Sequence, residues 1–454
     1  MRALVRFLGS ALTVLRLALP KIGIGWMFAL LSVNFNRVTI KELGIAAVLI
    51  TTMASLHYFL SPFQVVLGRF ADRHPLFGLR RTPLLIASAV VASLVFLPLP
   101  SLAVAMAAGS PIAAIAGFAL FVVFGIGVAA HGDSHHALIA ERTAERQRGL
   151  VMSVVWTMLI VSTIASAITI RVMMPEYTQA AMQRLYNLTP WVVIGSALLG
   201  VLGIERRLAP AEAAAAVARS RALSPAGNAL RAGVDLLREQ PQVRTFFLFL
   251  ILSMLGIFLQ DSILEVFGGE VLGLTPGQTA SFTSTWGGAV LAAMLLMGAL
   301  SAIFAIPKKA LALAGGAGTA VGLGVLALVA ITGQGTLMTP ALVVMGLSTG
   351  VFNVGALAMM LDMTLEGATG LYMGMWGVAQ AFGMGAAAIG SGGLHTLLIE
   401  TGLLSARAGY TAIFGLEVVL MLMSVAVLRA VSVEAFRGLT RADLVRTLEA
   451  SAAA

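Results

Sequence analysis

The chain has 454 residues, 59% hydrophobic and 11% charged, with a formal net charge of +9 and no cysteine. Soluble domains carry about a quarter charged residues, so lipid rather than water must solvate most of this surface, which excludes a soluble enzyme or binding module. The missing thiols exclude a disulfide framework and a thiolate metal site. The surplus of arginine and lysine is spread through short loops between apolar runs, a membrane pattern that argues against nucleic acid as a partner.

In chain order, residues 1–21 predict a cytoplasmic interfacial N-terminal helix. Arg2, Arg6, Arg16 and Lys21 interrupt it, and no cleavage-type motif follows a short apolar block. Apolar runs then fall at 22–40, 43–67, 83–107, 112–138, 149–174 and 189–204. A second set occupies 243–267, 279–305, 309–332, 338–361, 370–399 and 405–430. Most reach the ~20 residues that cross hydrocarbon at 1.5 Å per residue. The polar stretch 205–242, punctuated by Pro210, Ser224-Pro225 and Pro241, is expected to be a cytoplasmic linker. Residues 431–454 form a tail. The expected architecture is an all-α membrane protein of 12 transmembrane helices in two six-helix halves, 22–204 and 243–430. With both termini cytoplasmic, all basic residues but Arg37, Lys41, Arg171, Arg184 and Arg407 fall on the inner side, and that bias requires an even number of spans.

An internal repeat agrees with two halves. Shifting the chain by 221 places Gly125 on Gly346, Ala137 on Ala358, Glu141 on Asp362 and Thr143 on Thr364. It also places Glu145 on Glu366 and Gly149-Leu150 on Gly370-Leu371. The shared Thr-x-Glu-x-x-x-Gly-Leu spacing keeps one membrane orientation in both copies, as parallel repeats do.

Ionisable groups inside spans cost ~2.5–3.5 kcal/mol on insertion scales, so each needs a partner or a role. Three clusters stand out. The loop after the second run, with Gly68, Asp72, Arg73, Arg80 and Arg81, resembles the major-facilitator loop motif. Its glycine permits close helix approach, and its arginines can pair with Glu141 beyond the fourth run, with Arg148 nearby. The expected role is a conformational latch; a plain basic loop is the alternative. Its second-half counterpart shrinks to Pro307-Lys308-Lys309. At the outer ends, Asn34, Asn36, Arg37 and Glu42 in the first half match Gln260, Asp261 and Glu265 in the second. They suggest an outer polar gate in which Arg37 pairs with Asp261 or Glu265, against simple snorkelling at the interface. In the fourth run, His131 and His135 share one helical face while Asp133 and His136 share another. This cluster suits a pigment ligand or a proton site, against ordinary helix–helix hydrogen bonding. His57 and His395 are read as isolated, satisfied bundle histidines. The 48 Gly and 22 Met fit close helix packing and a malleable apolar surface. No nucleophile, phosphate loop or three-ligand metal spacing appears, so neither enzymatic activity nor a metal is expected.

The stretches Asn34 to Gly44, Gly68 to Pro83 and Leu259 to Gly273, above all Gln260-Asp261…Glu265…Gly268-Gly269-Glu270, resemble the PucC/LhaA bacteriochlorophyll-delivery family of major facilitators. Val266 stands where that family usually has proline, and the fourth span is richer in histidine. The resemblance implies an assembly factor for light-harvesting or chlorophyll-binding complexes, with chlorophyll or bacteriochlorophyll as ligand. It implies antenna polypeptides and pigment-synthesis enzymes as partners beside membrane lipid, in a bacterial inner, intracytoplasmic or thylakoid membrane. The alternative is a proton-coupled transporter of a small amphiphile using Asp133, Asp261 and the histidines.

Overall fold

The structure is a computed structural model that describes residues 11–61, 63–143, 148–222, 229–304, 306–364 and 369–437. Ten helices among these residues are long and apolar enough to cross a membrane. In the first half they are Ala11–Glu42 (first span), Thr82–Ala107 (third), Pro111–Arg142 (fourth) and Val151–Met173 (fifth). In the second half they are Pro241–Phe258 (seventh), Pro276–Ser301 (eighth), Lys308–Thr332 (ninth), Gly335–Asp362 (tenth), Tyr372–Glu400 (eleventh) and Ala406–Ala430 (twelfth). The second span is split into Ala47–Phe59 and Phe63–Arg73, and the sixth is the short helix Thr189–Val201. Twelve membrane helices result, and the protein is an integral membrane protein. Lipid leaves no donors for the backbone, so each segment satisfies its own ladder as a helix. Among the described residues the one bridge is Leu76 with Leu79.

The chain divides into two compact units, Met1–Ser224 with Leu274–Ser284, and Pro225–Gly273 with Thr285–Ala454. The division falls inside the stretch read as the linker, which carries helices Pro210–Ala222 and Ala229–Glu239. The start of the eighth span groups with the first unit, where the Gly277 N–H donates to the Pro175 carbonyl at 3.1 Å.

Small residues set helix spacing within each unit. A Cβ on Gly25 would meet the Leu159 carbonyl of the fifth span at 2.7 Å, and one on Gly200 would meet Pro20 at 2.6 Å. In the second unit a Cβ on Gly315 would lie 2.3 Å from the Phe352 backbone, and one on Gly346 would lie 2.6 Å from the Trp286 carbonyl.

Residues 1–10 lie outside the described residues. From Ala11 helical residues lead, through a turn at Leu19, into the helix that starts at Pro20. Two basic residues of this entry segment have defined neighbours. The Arg16 guanidinium donates to the Leu199 carbonyl at 3.0 Å and to that of Leu202, capping the sixth span. Lys21 is buried, with its ammonium 5.4 Å above the Trp156 ring.

Candidate functional site

The basic loop of the first half is a connected charge network. Leu76 and Leu79 exchange backbone hydrogen bonds at 2.9 Å around Phe77 and Gly78, both at positive φ. Gly78 is required there twice over, by its φ of 75° and by the Leu208 carbonyl 2.7 Å from where a Cβ would sit. The turn delivers Arg80 and Arg81 to the start of the third span. Arg81 donates from Nη2 to Asp72 Oδ1 at 2.6 Å and from Nε to Glu141 Oε1 at 3.0 Å. Arg80 Nη2 reaches the same Glu141 oxygen at 3.0 Å, and its Nη1 lies 3.8 Å from Asp72. Arg81 is 8% exposed, so these are partly desolvated, forked interactions of the kind a lysine cannot reproduce.

Sequence reasoning missed the residue that completes this network. Glu205, just past the sixth span, accepts backbone N–H bonds from Arg80 at 2.7 Å, Arg81 at 3.0 Å and Thr82 at 2.7 Å. A carboxylate on the unsatisfied donors of a helix N-terminus is favoured by both hydrogen bonding and the helix dipole. Gly68 serves a different neighbour: a Cβ there would lie 2.7 Å from Asp133 Oδ2, so the glycine admits the fourth-span carboxylate. Arg73 is half-buried at the end of the second span, and the side chain of Arg148 lies outside the described residues.

The second-half loop is simpler, though it does find an acid. Lys308 Nζ pairs with Asp362 Oδ2 at 2.8 Å, and Asp362 is the repeat counterpart of Glu141. Lys309 Nζ donates to the Arg429 and Val431 carbonyls at 2.9 and 2.7 Å, at the end of the twelfth span.

The fourth span separates its polar residues by face. His131 and His135 are buried, Asp133 is half-buried, and His136 is exposed. His131 lies eleven residues before Arg142, hence ~16 Å into the bilayer from that end. His135 Nε2 meets the Leu17 carbonyl at 2.6 Å, which fixes its proton there and leaves Nδ1 without a partner. Neither His131 nitrogen has a well-formed hydrogen bond, although the Leu85 and Pro20 carbonyls are close. The rings of His131 and His135, and of His135 and His136, have centroids 6.1 Å apart. Among the described residues no group of three or more His, Asp or Glu could hold a metal ion.

Most of the outer polar residues are buried, with Glu42 exposed. In the first half Asn34, Asn36 and Arg37 are 0, 2 and 1% exposed, which rules out snorkelling for Arg37. They sit where the first span loosens into π-helical turns at Leu30–Phe35 and Val38–Glu42, features frequent at functional sites. Arg37 Nη1 pairs with Glu42 at 2.8 Å, and Nη2 donates to the Leu274 carbonyl at 3.0 Å. Burial and the Glu42 charge together hold the Tyr177 phenol, between the fifth and sixth spans, above its usual range. In the second half the seventh span breaks after Phe258 and resumes as Leu264–Glu270. Gln260 and Glu265 are buried there and Asp261 is half-buried. His395 is satisfied but not isolated: Nε2 lies 3.0 Å from Glu270 and Nδ1 3.1 Å from Glu400, while the Tyr410 hydroxyl donates to Glu270 at 2.9 Å. His57 takes the Ala54 carbonyl at 2.7 Å and packs against Phe28, Tyr58 and Phe124. Glu417 in the twelfth span, also missed from sequence, is fully buried against Gln260.

Known proteins share both the fold and the sequence pattern. The nucleoside transporter NupG superposes with a TM-score of 0.68 at 13% identity, covering 92% of this chain and 99% of that one. A D-xylose–proton symporter gives 0.65 at 15% identity, covering 90% and 96%. These likenesses establish the major-facilitator fold. By sequence, the chain is 30% identical over 446 residues to the bacteriochlorophyll synthase 44.5 kDa chain of Rhodobacter capsulatus, covering 96% of this chain and 98% of that protein. It is 27% identical to protein PucC of Rhodovulum sulfidophilum, covering 82% of each. The PUCC protein family model matches residues 34–436, from the buried outer asparagines to the end of the twelfth-span helix and beyond, and the chain belongs to that family.

Proposed function

We propose that this protein is a membrane assembly factor for light-harvesting or chlorophyll-binding complexes, handing over or holding a chlorophyll or bacteriochlorophyll without catalysing a reaction. Family membership over residues 34–436, with relatives named for pigment synthesis and PucC, is the observation that carries this reading. The residues present fit a chlorin at one point. A neutral imidazole would be a suitable ligand for its magnesium. His131 is 1% exposed, leaving no room for a macrocycle, and His135 has one nitrogen committed to Leu17. His136 presents an exposed ring on the face it shares with Asp133, and it is the residue that would hold the pigment. The charge network around Arg81 would steady the first half while client helices dock. The partners expected are antenna polypeptides and pigment-synthesis enzymes, in an inner, intracytoplasmic or thylakoid membrane, with the termini and basic loops cytoplasmic.

Purification from a phototrophic host in mild detergent tests this directly. The wild-type protein should carry chlorin absorbance and antenna or pigment-synthesis proteins, and His136→Leu should lose the pigment while keeping its fold. Preparations free of both pigment and such partners would sink the reading. A proton-coupled carrier would instead show proton-driven uptake of an amphiphile into vesicles, abolished by Asp133→Asn or Asp261→Asn.

A further inference from the structure

The twelfth span carries a carboxylate that none of the preceding roles uses. Glu417 lies eleven residues into Ala406–Ala430, about 16 Å along the helix and therefore deep in the bilayer. It is 0% exposed. Its Oε1 accepts the Gln260 N–H at 2.7 Å, and its Oε2 has no hydrogen-bond partner.

Span geometry explains how it came to be there. A Cβ on Gly256 would lie 2.9 Å from the Met421 backbone, so the seventh and twelfth spans touch one turn away from Gln260 and Glu417. Two residues beyond Gly256 the seventh span leaves its helix, and the Gln260 N–H turns to Glu417. The Gln260 side chain gives its amide N–H to the Ile257 carbonyl at 3.0 Å, which leaves Gln260 Oε1 without a donor. Two buried acceptors on one contacting pair of residues therefore lack a proton donor.

No cation balances the acid among the described residues. The ninth span, packed along the twelfth, has only Lys308 and Lys309, at its far end. The seventh has Arg244 at its start, Asp261 at the break, and Glu265 and Glu270 on the resumed helix, which packs on the twelfth through Phe267. The eleventh has Tyr372 and the His395–Glu400 pair. The twelfth itself adds Arg407, Tyr410 and Arg429 near its ends. Asp261 directly follows Gln260, the residue whose N–H meets Glu417, so a second acid lies at the same break. An ionised carboxylate held away from water, without a counter-ion and beside a second acid, is less favourable than the neutral acid.

We propose that Glu417, with Gln260 and Asp261 at the break in the seventh span, is a proton-binding site of the second half. A proton taken from water forms an O–H bond at Glu417 Oε2, which removes the charge and turns one orphan acceptor into a donor. The half-buried Asp261 is the adjoining acid through which the site responds to the medium. This inference does not depend on pigment handling.

Isotope-edited infrared spectroscopy tests it on the full-length protein in lipid nanodiscs, with ¹³C-labelled glutamate. A carbonyl band of protonated carboxylic acid is expected at neutral pH. It should shift on deuteration in the wild type, disappear in Glu417→Gln and persist in Asp261→Asn. Glutamine keeps an acceptor for the Gln260 N–H and matches the neutral form, so that variant should fold; the deuteration shift of the labelled wild-type band needs no variant at all. The proposal is overturned by a folded Glu417→Gln protein that retains the whole band, by the absence of any labelled protonated-acid band in the wild type, or by loss of the band at constant pH on adding sodium chloride, which would assign the site to a metal cation.

Discussion

Each half ties the start of its third helix to the end of its sixth, but the two do so with opposite chemistry. In the first half an acid from beyond the sixth span, Glu205, accepts three N–H groups at the start of the third. In the second half a base from the start of the ninth span, Lys309, donates to the Arg429 and Val431 carbonyls at the end of the twelfth. Both ties use unsatisfied backbone groups at a helix terminus, and each places the charge that the helix dipole favours. The repeat has kept the tie and exchanged its sign. The adjoining ion pair shows the same drift. Asp72, Glu141, Arg80 and Arg81 form a four-residue network in the first half, while in the second Lys308 pairs with Asp362. The guanidinium bridges two acids with a rigid planar fork, whereas a lysine ammonium is a compact point charge without that fork.

Removing Glu205 should have the largest effect. Glu205→Ala strands the N–H groups of Arg80, Arg81 and Thr82 and takes one acid from a cluster with two arginines. Hydrogen bonds to a charged group are each worth about 1.5–3 kcal/mol, and a loss of about 2–3 kcal/mol is expected after partial rehydration of the helix end. Thermal unfolding in lipid nanodiscs measures it; an unchanged midpoint would remove Glu205 from the account of the first half. Arg81→Lys comes next. It keeps the charge but cannot hold Asp72 and Glu141 together, and about 1–2 kcal/mol should be lost. If lysine is tolerated without cost, the contrast between a network and a pair has no energetic content.

The comparison also shows what the sequence made legible. Lipid-length apolar runs and the shifted Thr-x-Glu-x-x-x-Gly-Leu pattern signalled two six-helix halves, because hydropathy and repetition survive without any contact being known. The pairing of Arg80 and Arg81 with Glu141 was likewise readable, since few acids lie near that loop in sequence. Glu205 was not, because Glu-Arg-Arg inside a basic connector looks like a solvated charge run, and its partners are backbone groups that every residue has. The neighbours of Arg16 and Lys21 were equally hidden: one caps the sixth span and the other lies over Trp156, and both contacts are far away in sequence. Glu417 did carry a signal. A lone acid in an otherwise apolar run has to have a partner, but the partner is a backbone N–H freed by a helix break 157 residues away. No local pattern announces that break.

Lys309→Met should cost less than either first-half change, about 1 kcal/mol. It removes charge-assisted donors from two terminal carbonyls that the aqueous interface can partly satisfy instead. A loss matching that of Glu205→Ala would make the two ties energetically equivalent and confine the asymmetry between halves to the ion pairs.

The smallest effect belongs to Lys308→Met. The lysine side chain is 48% exposed and pairs with Asp362, so the pair is worth at most about 0.5 kcal/mol once screening and side-chain entropy are counted. Lys308→Arg should gain nothing either, because the described residues of the second-half loop offer a forked donor no second acid such as Asp72. Measured beside Arg81→Lys, these two substitutions decide whether the first-half network derives its strength from arginine geometry or from charge alone. If Lys308→Met destabilised as much as Arg81→Lys, charge number would suffice, and the forked geometry at Asp72 and Glu141 would be incidental.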